Sequence, residues 1–164
     1  MHFREIKKTT STAILALNSL SNSEVRLHGK RNQILNLADL NDPDRRLLVL
    51  YPDPNAPTLS PSFLEKEDRP VSLLVPDGTW RQVANMRRHV LGLPHAETVK
   101  LPIGAPGEWT IRKAGDPNYL STYEAIARAY GLIESPHVQN QMETVFRLMV
   151  KRIRQSRGLD SVDA

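Results

Sequence analysis

The sequence contains no cysteine, and its 164 residues include only two tryptophans, three phenylalanines and four tyrosines. Without cysteine, the sequence cannot form disulfide bonds, thiolate metal sites or cysteine nucleophiles. No apolar run reaches the roughly 20 residues that a membrane-spanning helix needs, so no membrane partner is expected. The first residues carry charges where a secretory signal has an apolar segment, which makes the cytoplasm the expected compartment.

Metal chemistry is not expected either. The five histidines lie at positions 2, 28, 89, 95 and 137, and no two of them have the spacing of a zinc site. The sequence also has no glycine-rich phosphate-binding loop and no G-x-S-x-G turn around a nucleophilic serine. The likelier role for each histidine is at the surface or at the edge of the core, and we expect no bound metal.

The composition, with 40% hydrophobic and 24% charged residues, is that of an ordinary soluble protein, and we expect residues 1–164 to form a single domain. Lysine and arginine exceed aspartate and glutamate by 22 − 18 = +4, which is compatible with a polyanionic partner. Either basic group taken alone is equally compatible with a solvated helix face. The two groups are Arg81, Arg87 and Arg88, and Lys151, Arg152, Arg154 and Arg157.

The hydrophobic pattern predicts an α/β fold with a largely parallel sheet flanked by helices, because buried strands alternate with helices. Apolar runs at residues 46–52 and 71–76 predict strands covered on both faces. Further strands are predicted at residues 24–29, which alternate, and at 97–102. Helices are predicted at residues 10–20, with Ser11 as N-cap, and at 80–90, 122–130 and 137–155. The proline-rich residues 53–62 predict a surface loop.

The joint between the second apolar run and its helix reads Pro76-Asp77-Gly78-Thr79-Trp80. Thr79 and Gln82 have the spacing of a capping box, as do Ser121 and Glu124 further along. Asp77 and Trp80 are not explained by capping. Asp77 fits an Asx turn and Trp80 fits packing on the sheet, but ligands also gather where parallel strands end beside helix N-termini. An acid and an indole at such a point can act as a base and an apolar wall.

The D-x-T-W motif of this joint occurs in order with four other stretches: HFREIKKTTST from residue 2, LVLYP from 48, VKLP from 99 and LSTYEAIA from 120. Together they resemble the DTW-domain family of tRNA-uridine aminocarboxypropyltransferases over nearly the whole chain. The resemblance implies the knotted, methyltransferase-like (SPOUT-like) α/β fold and S-adenosylmethionine as co-substrate. It also implies transfer of the 3-amino-3-carboxypropyl group to N3 of a tRNA uridine, releasing methylthioadenosine. Bacterial relatives usually carry a preceding cysteine-rich segment, so this is expected to be a short member or a truncated one.

The resemblance also implies roles for individual residues. The motif residues Asp77, Thr79 and Trp80 are the candidate catalytic residues, with Asp77 as the base that accepts the uridine proton. Loops around the co-substrate are expected at Tyr51, Pro52, Gly78, Trp80, Leu101, Pro102, Leu120, Ser121 and Thr122. Contacts to tRNA are expected from Arg81, Arg87, Arg88, Arg112, Lys151 and Arg152. Two alternatives remain at this point, a non-catalytic RNA-binding module and an S-adenosylmethionine-dependent RNA methyltransferase of the same fold.

Overall fold

The structure is a computed structural model that describes residues 1–32, 35–90, 93, 95–109, 111 and 120–159. In the helix at residues 80–90, the side chains of residues 80 and 87–90 lie outside this description. The chain divides into two compact units, Met1–Pro102 and Ile103–Ala164. Helices alternate with strands in the first unit, whereas the described part of the second unit contains two long helices.

The first unit is built on a three-stranded parallel sheet in the order β2-β1-β3. The strands are β1 (Arg46–Leu50), β2 (Val71–Leu74) and β3 (Glu97–Val99), and the helices are α1 (Thr12–Ser19), the 3-10 helix Ala38–Leu40, α2 (Pro61–Leu64) and α3 (Trp80–Val90). Arg46 lies opposite Val71 on one side, and Leu48 lies opposite Glu97 on the other. A parallel sheet with helices between its strands confirms the predicted α/β class.

Burial differs between the two strands that the sequence predicts to be covered on both faces. Every residue of the central strand β1 is buried, and Leu48 is completely inaccessible. The prediction is wrong for β2, whose four residues are all only partly buried. The reason is position in the sheet: among the residues that the structure describes, β2 pairs only with β1, so it is an edge strand.

A buried arginine joins the elements at the amino end of the sheet. Arg46 at the start of β1 donates from Nε and Nη2 to the Glu97 carboxylate of β3, at 2.8 and 3.1 Å. Its guanidinium also donates to the Phe63 carbonyl of α2 at 3.2 Å and lies 4.3 Å from the centre of that ring. The hydrogen bonds that Arg46 donates to the Glu97 carboxylate raise the pKa of the Arg46 guanidinium. This cluster fixes the sheet at the edge opposite the strand ends that carry the D-x-T-W motif.

The predicted loop at residues 53–62 runs into a short helix that the sequence analysis misses. Helix α2 begins at Pro61, and the hydroxyl of its N-cap residue Ser60 accepts a hydrogen bond from the Phe63 amide at 3.2 Å. Serine before a proline at the first helical position is a recognised start signal. The helix has only four residues, so it is too short to show apolar periodicity.

The strand predicted at residues 24–29 is wrong, because its only bridge within the described part of the chain joins His28 to His2. The amide of His28 donates to the Met1 carbonyl at 2.9 Å, and its carbonyl accepts from Phe3 at 3.0 Å. This segment therefore pairs with the first residues of the chain and not with the sheet. The helix predicted at residues 10–20 forms as α1, and Ser11 occupies its N-cap position without a side-chain capping hydrogen bond.

The second unit contains α4 (Thr122–Ile133) and α5 (Pro136–Ser156), which are joined by two residues and pack against each other. Tyr123 and Phe146 stack at a centroid distance of 5.4 Å, and the ring of Trp109 lies 5.8 Å from that of Phe146. The helix predictions at residues 80–90, 122–130 and 137–155 are confirmed, although α4 extends three residues further. Within the described residues, no helix combines the length and the apolar character needed to cross a membrane.

Candidate active site

The carboxyl ends of the three strands lie at one edge of the sheet, because all three run parallel. Tyr51 and Pro52 follow β1, Leu101 and Pro102 follow β3, and Asp77 lies three residues beyond β2. The amide of Tyr51 donates to the Val99 carbonyl at 2.9 Å, which continues the pairing of β1 with β3 beyond the last residue of β1. The structure therefore places three of the predicted co-substrate segments at the same edge of the first unit.

The joint after β2 contains the predicted capping box. The Thr79 amide donates to Gln82 Oε1 at 2.7 Å, and the Gln82 amide donates to the Thr79 hydroxyl at 3.4 Å. Two of the four orphan N–H groups at the start of α3 thus have a partner. Thr79 is exposed and Asp77 is partly buried, and neither Asp77 nor its neighbour Gly78 takes part in the cap. Capping explains Thr79 and Gln82 and leaves Asp77 for another role.

Gly78 is required by the backbone of this joint. Its φ is +155°, and a Cβ there would lie 2.9 Å from Gln82 Oε1 and 3.3 Å from the His2 Cβ. A side chain at position 78 would therefore displace the capping glutamine and press on the N-terminal segment. The glycine lets the chain turn directly from Asp77 into the cap.

The N-terminal segment contacts the same joint, which the sequence analysis does not foresee. The His2 amide donates to the Asp77 carbonyl at 2.8 Å, and the ring of His2 lies 6.4 Å from that of His28. Burial, together with the charge of Arg4, lowers the pKa of His2 below its ordinary value. The two histidines are 26 positions apart in the sequence, and nothing in that spacing signals their contact.

The proline-rich loop folds back over the residue that follows β3. The amide of Lys100 donates to the Pro57 carbonyl at 3.0 Å, and its carbonyl accepts from the fully buried Leu59 at 2.8 Å. The Lys100 ammonium donates to the Pro54 carbonyl at 2.5 Å. These three hydrogen bonds hold the segment between β1 and α2 against Lys100, the residue that directly follows β3.

The remaining predicted co-substrate segment, Leu120–Ser121–Thr122, belongs to the second unit. Ser121 and Glu124 form the predicted capping box, with the Ser121 amide 2.8 Å from Glu124 Oε2 and the Glu124 amide 3.3 Å from the Ser121 hydroxyl. Glu124 is only 5% exposed, and its other oxygen accepts a hydrogen bond from the Glu108 amide. The start of α4 is thus a buried junction between two stretches of chain.

The predicted tRNA-binding residues are distributed over both units. Arg81 is exposed in the first turn of α3, and Arg87 and Arg88 lie further along that helix. Lys151 and Arg152 are both exposed on α5. The side chains of Arg87, Arg88 and Trp80 lie outside the described part of the structure, as does Arg112 altogether, so their predicted roles stay predictions.

Fold and motif together define an α/β protein whose parallel sheet carries P-D-G-T-W between the end of one strand and the start of a helix. The family model of the DTW domain matches residues 1–154. The chain therefore belongs to the DTW family, the family of tRNA aminocarboxypropyltransferases, and the resemblance seen in its motifs is confirmed. No significant match was found among curated proteins or among solved structures.

Proposed function

We propose that this protein transfers the 3-amino-3-carboxypropyl group of S-adenosylmethionine to N3 of a uridine in tRNA. The observation that carries the proposal is the match of residues 1–154 to the DTW family, which acts on tRNA. The structure supports it by placing the motif at the carboxyl edge of a parallel sheet, where α/β proteins bind their ligands. The knotted topology implied by the resemblance stays a prediction and belongs to the same proposal.

Asp77 is the proposed general base. Uridine N3 is a poor nucleophile while it carries its proton, so a base within hydrogen-bond reach is needed. In the proposed step the N3–carbon bond forms as the carbon–sulfur bond breaks, and its electron pair stays on sulfur as neutral methylthioadenosine. The N3 proton passes to the Asp77 carboxylate. Its position suits this role, because Asp77 lies three residues beyond β2 at the carboxyl edge of the sheet and directly before the cap of α3.

The carboxyl edge of the sheet also suits S-adenosylmethionine, which combines an amino acid, a sulfonium and a nucleoside. Tyr51 and Leu101 supply partly buried side chains, and the N-terminus of α3 favours a carboxylate. S-adenosylmethionine supplies an activated carbon, because its sulfonium is already a good leaving group. We assign to Trp80 the orientation of the sulfonium, which an aromatic face attracts, so that the aminocarboxypropyl carbon and not the methyl faces uridine.

The sequence also predicts co-substrate contacts at the start of α4 in the second unit, and these stay a prediction. Leu120, Ser121 and Thr122 are assigned to the co-substrate through their main chain, because the Ser121 side chain already caps α4. Substitutions of the Ser121 side chain are therefore expected to act on the stability of α4.

The test is mass spectrometry of tRNA nucleosides after incubation of the protein with unmodified tRNA and S-adenosylmethionine. We expect a uridine that has gained an aminocarboxypropyl group, together with stoichiometric methylthioadenosine. A methylated uridine would instead identify a methyltransferase. Unchanged tRNA from a protein that binds both substrates would contradict catalysis and favour a non-catalytic RNA-binding module.

A further inference from the structure

A groove of about 320 Å³ lies along α5 in the second unit, lined by Glu108, Arg147, Val150, Lys151 and Arg154. Arg147, Lys151 and Arg154 are spaced at i, i+4 and i+7, which places them on one face of the helix over about 10 Å. Val150 is only 9% exposed and lies among the cations as a largely buried lining residue. A row of cations along one helix face suits the phosphates of a nucleic-acid strand.

Two carboxylates lie beside one of the cations of this groove, Arg147. Arg147 Nη1 lies 3.3 Å from Glu108 Oε1 and 3.7 Å from Glu143 Oε2. The side chains of Arg147 and Glu108 are 50% and 53% exposed, so water screens their attraction and their ion pair is weak. An arginine that holds a carboxylate in this way can exchange it for a phosphate, which offers the same arrangement of oxygens.

The position of Glu108 is fixed by its neighbours and not by its own side chain. Its amide donates to the buried carboxylate of Glu124, and the adjacent Trp109 is buried against Phe146. Arg128 also donates to the Pro106 carbonyl at 3.3 Å. The segment therefore stays beside α5 when the Glu108 side chain changes, so the charge can be tested apart from the fold.

We propose that this groove binds the phosphodiester backbone of the RNA substrate, with Glu108 competing against phosphate for Arg147. The identity of the polyanion as tRNA rests on the proposed function. The assignment separates two neighbours that the sequence groups together: Lys151 lines the groove, whereas Arg152 lies on the face of α5 that carries the exposed Val145 and Leu148. Arg147 and Glu108 are not among the residues that the sequence analysis selects.

The experiment measures binding of a fluorescently labelled tRNA transcript by anisotropy at several salt concentrations. Glu108→Gln should tighten binding, because it removes the nearer of the two carboxylates that lie beside Arg147. Lys151→Glu should weaken binding roughly three- to tenfold at moderate salt and lower the slope of log K against log salt by about 1. Arg152→Glu makes the same charge change on the neighbouring residue and should have a clearly smaller effect. Melting curves verify that each variant is folded.

Equal losses of tRNA affinity in Lys151→Glu and Arg152→Glu would overturn the groove proposal, since they would show an effect of net charge alone. Unchanged or weaker binding by Glu108→Gln would overturn it as well. Transfer is measured on the same tRNA by mass spectrometry. If the wild-type protein transfers nothing while the groove variants bind as expected, the proposed function fails and the groove proposal stands. If the wild-type protein transfers the group but the variants do not show the expected binding pattern, the groove proposal fails and the proposed function stands.

Discussion

Asp77 differs from its neighbours in the motif because the two capping hydrogen bonds at the start of α3 are made by Thr79 and Gln82. The Thr79 and Gln82 side chains form the cap, and Gly78 provides the close backbone approach. The main chain of Asp77 is held by the His2 amide at 2.8 Å. A side chain whose backbone is fixed on both sides, at the end of a strand, is well placed to meet a substrate in one orientation.

Asp77→Asn tests this interpretation at the scale of one residue. Asparagine keeps the size of the side chain but cannot accept the uridine proton, so transfer should fall by roughly 10²–10⁴-fold. The affinity for S-adenosylmethionine and the melting temperature should hardly change, because neither the cap nor the hydrogen bond from His2 uses the carboxylate. Single-turnover transfer, calorimetry and a melting curve on one preparation make the measurement.

The opposite pattern would make Asp77 a turn residue. In that case the free energy of unfolding would drop by up to about 1 kcal/mol, through loss of an Asx-type hydrogen bond, and the rate would stay close to normal. Gln82→Ala serves as the matched control, because it weakens the same joint through the cap without touching the proposed base. It should lower stability and leave most of the transfer rate.

At the scale of elements, two helices start with capping boxes that differ in burial. In the box at the start of α3, Thr79 is exposed and Gln82 is partly buried, whereas in the box of α4 Ser121 and Glu124 are only 4% and 5% exposed. Water can replace a lost hydrogen bond at the first box but not at the second. The same sequence pattern therefore has unequal energetic weight in the two helices.

Glu124→Gln should accordingly destabilise the protein more than Gln82→Ala. A glutamine has one acceptor oxygen, so either the Ser121 amide or the Glu108 amide would face an NH₂ group in a buried place. The expected loss is about 1–3 kcal/mol, against about 1 kcal/mol or less for the exposed cap. Chemical denaturation measures both free energies of unfolding, and equal losses would contradict the role of burial.

The elements that the sequence predicts well are those fixed by local signals. Apolar runs place the central strand, and the capping boxes place the starts of α3 and α4, because each depends on residues within a few positions. The prediction fails where distant contacts decide. The partial burial of β2 depends on its edge position, and residues 24–29 pair with the N-terminus.

The residues of the candidate site likewise divide into those that local sequence signals predict and those that distant contacts bring to the site. The motif marks Asp77, because an unexplained acid between a strand and a helix cap can be read from a few consecutive residues. The contact of His2 with that joint cannot be read, since it depends on how the chain returns across the unit. Glu108 escapes notice for a similar reason: the burial of Trp109 and the main-chain bond to Glu124 bring it to α5.

For the whole molecule, the excess of four positive charges matters through its distribution. If positive charge alone attracted tRNA, any pair of exposed basic residues would contribute equally. The proposed function instead requires contacts near the site, and Arg87 and Arg88 lie on α3, the helix that starts at the motif. Lys30 and Arg31 form an exposed basic pair elsewhere in the same unit and provide the comparison.

We therefore expect the double variant Arg87→Glu with Arg88→Glu to bind tRNA more weakly and with a flatter salt dependence. Loss of two phosphate contacts lowers the slope of log K against log salt by about 1.8. The pair Lys30→Glu with Arg31→Glu changes the net charge by the same amount and should leave most of the slope intact. Titrations of labelled tRNA from low to moderate salt compare the two. If both double variants lose the same slope, long-range attraction explains the binding, and Arg87 and Arg88 form a solvated helix face.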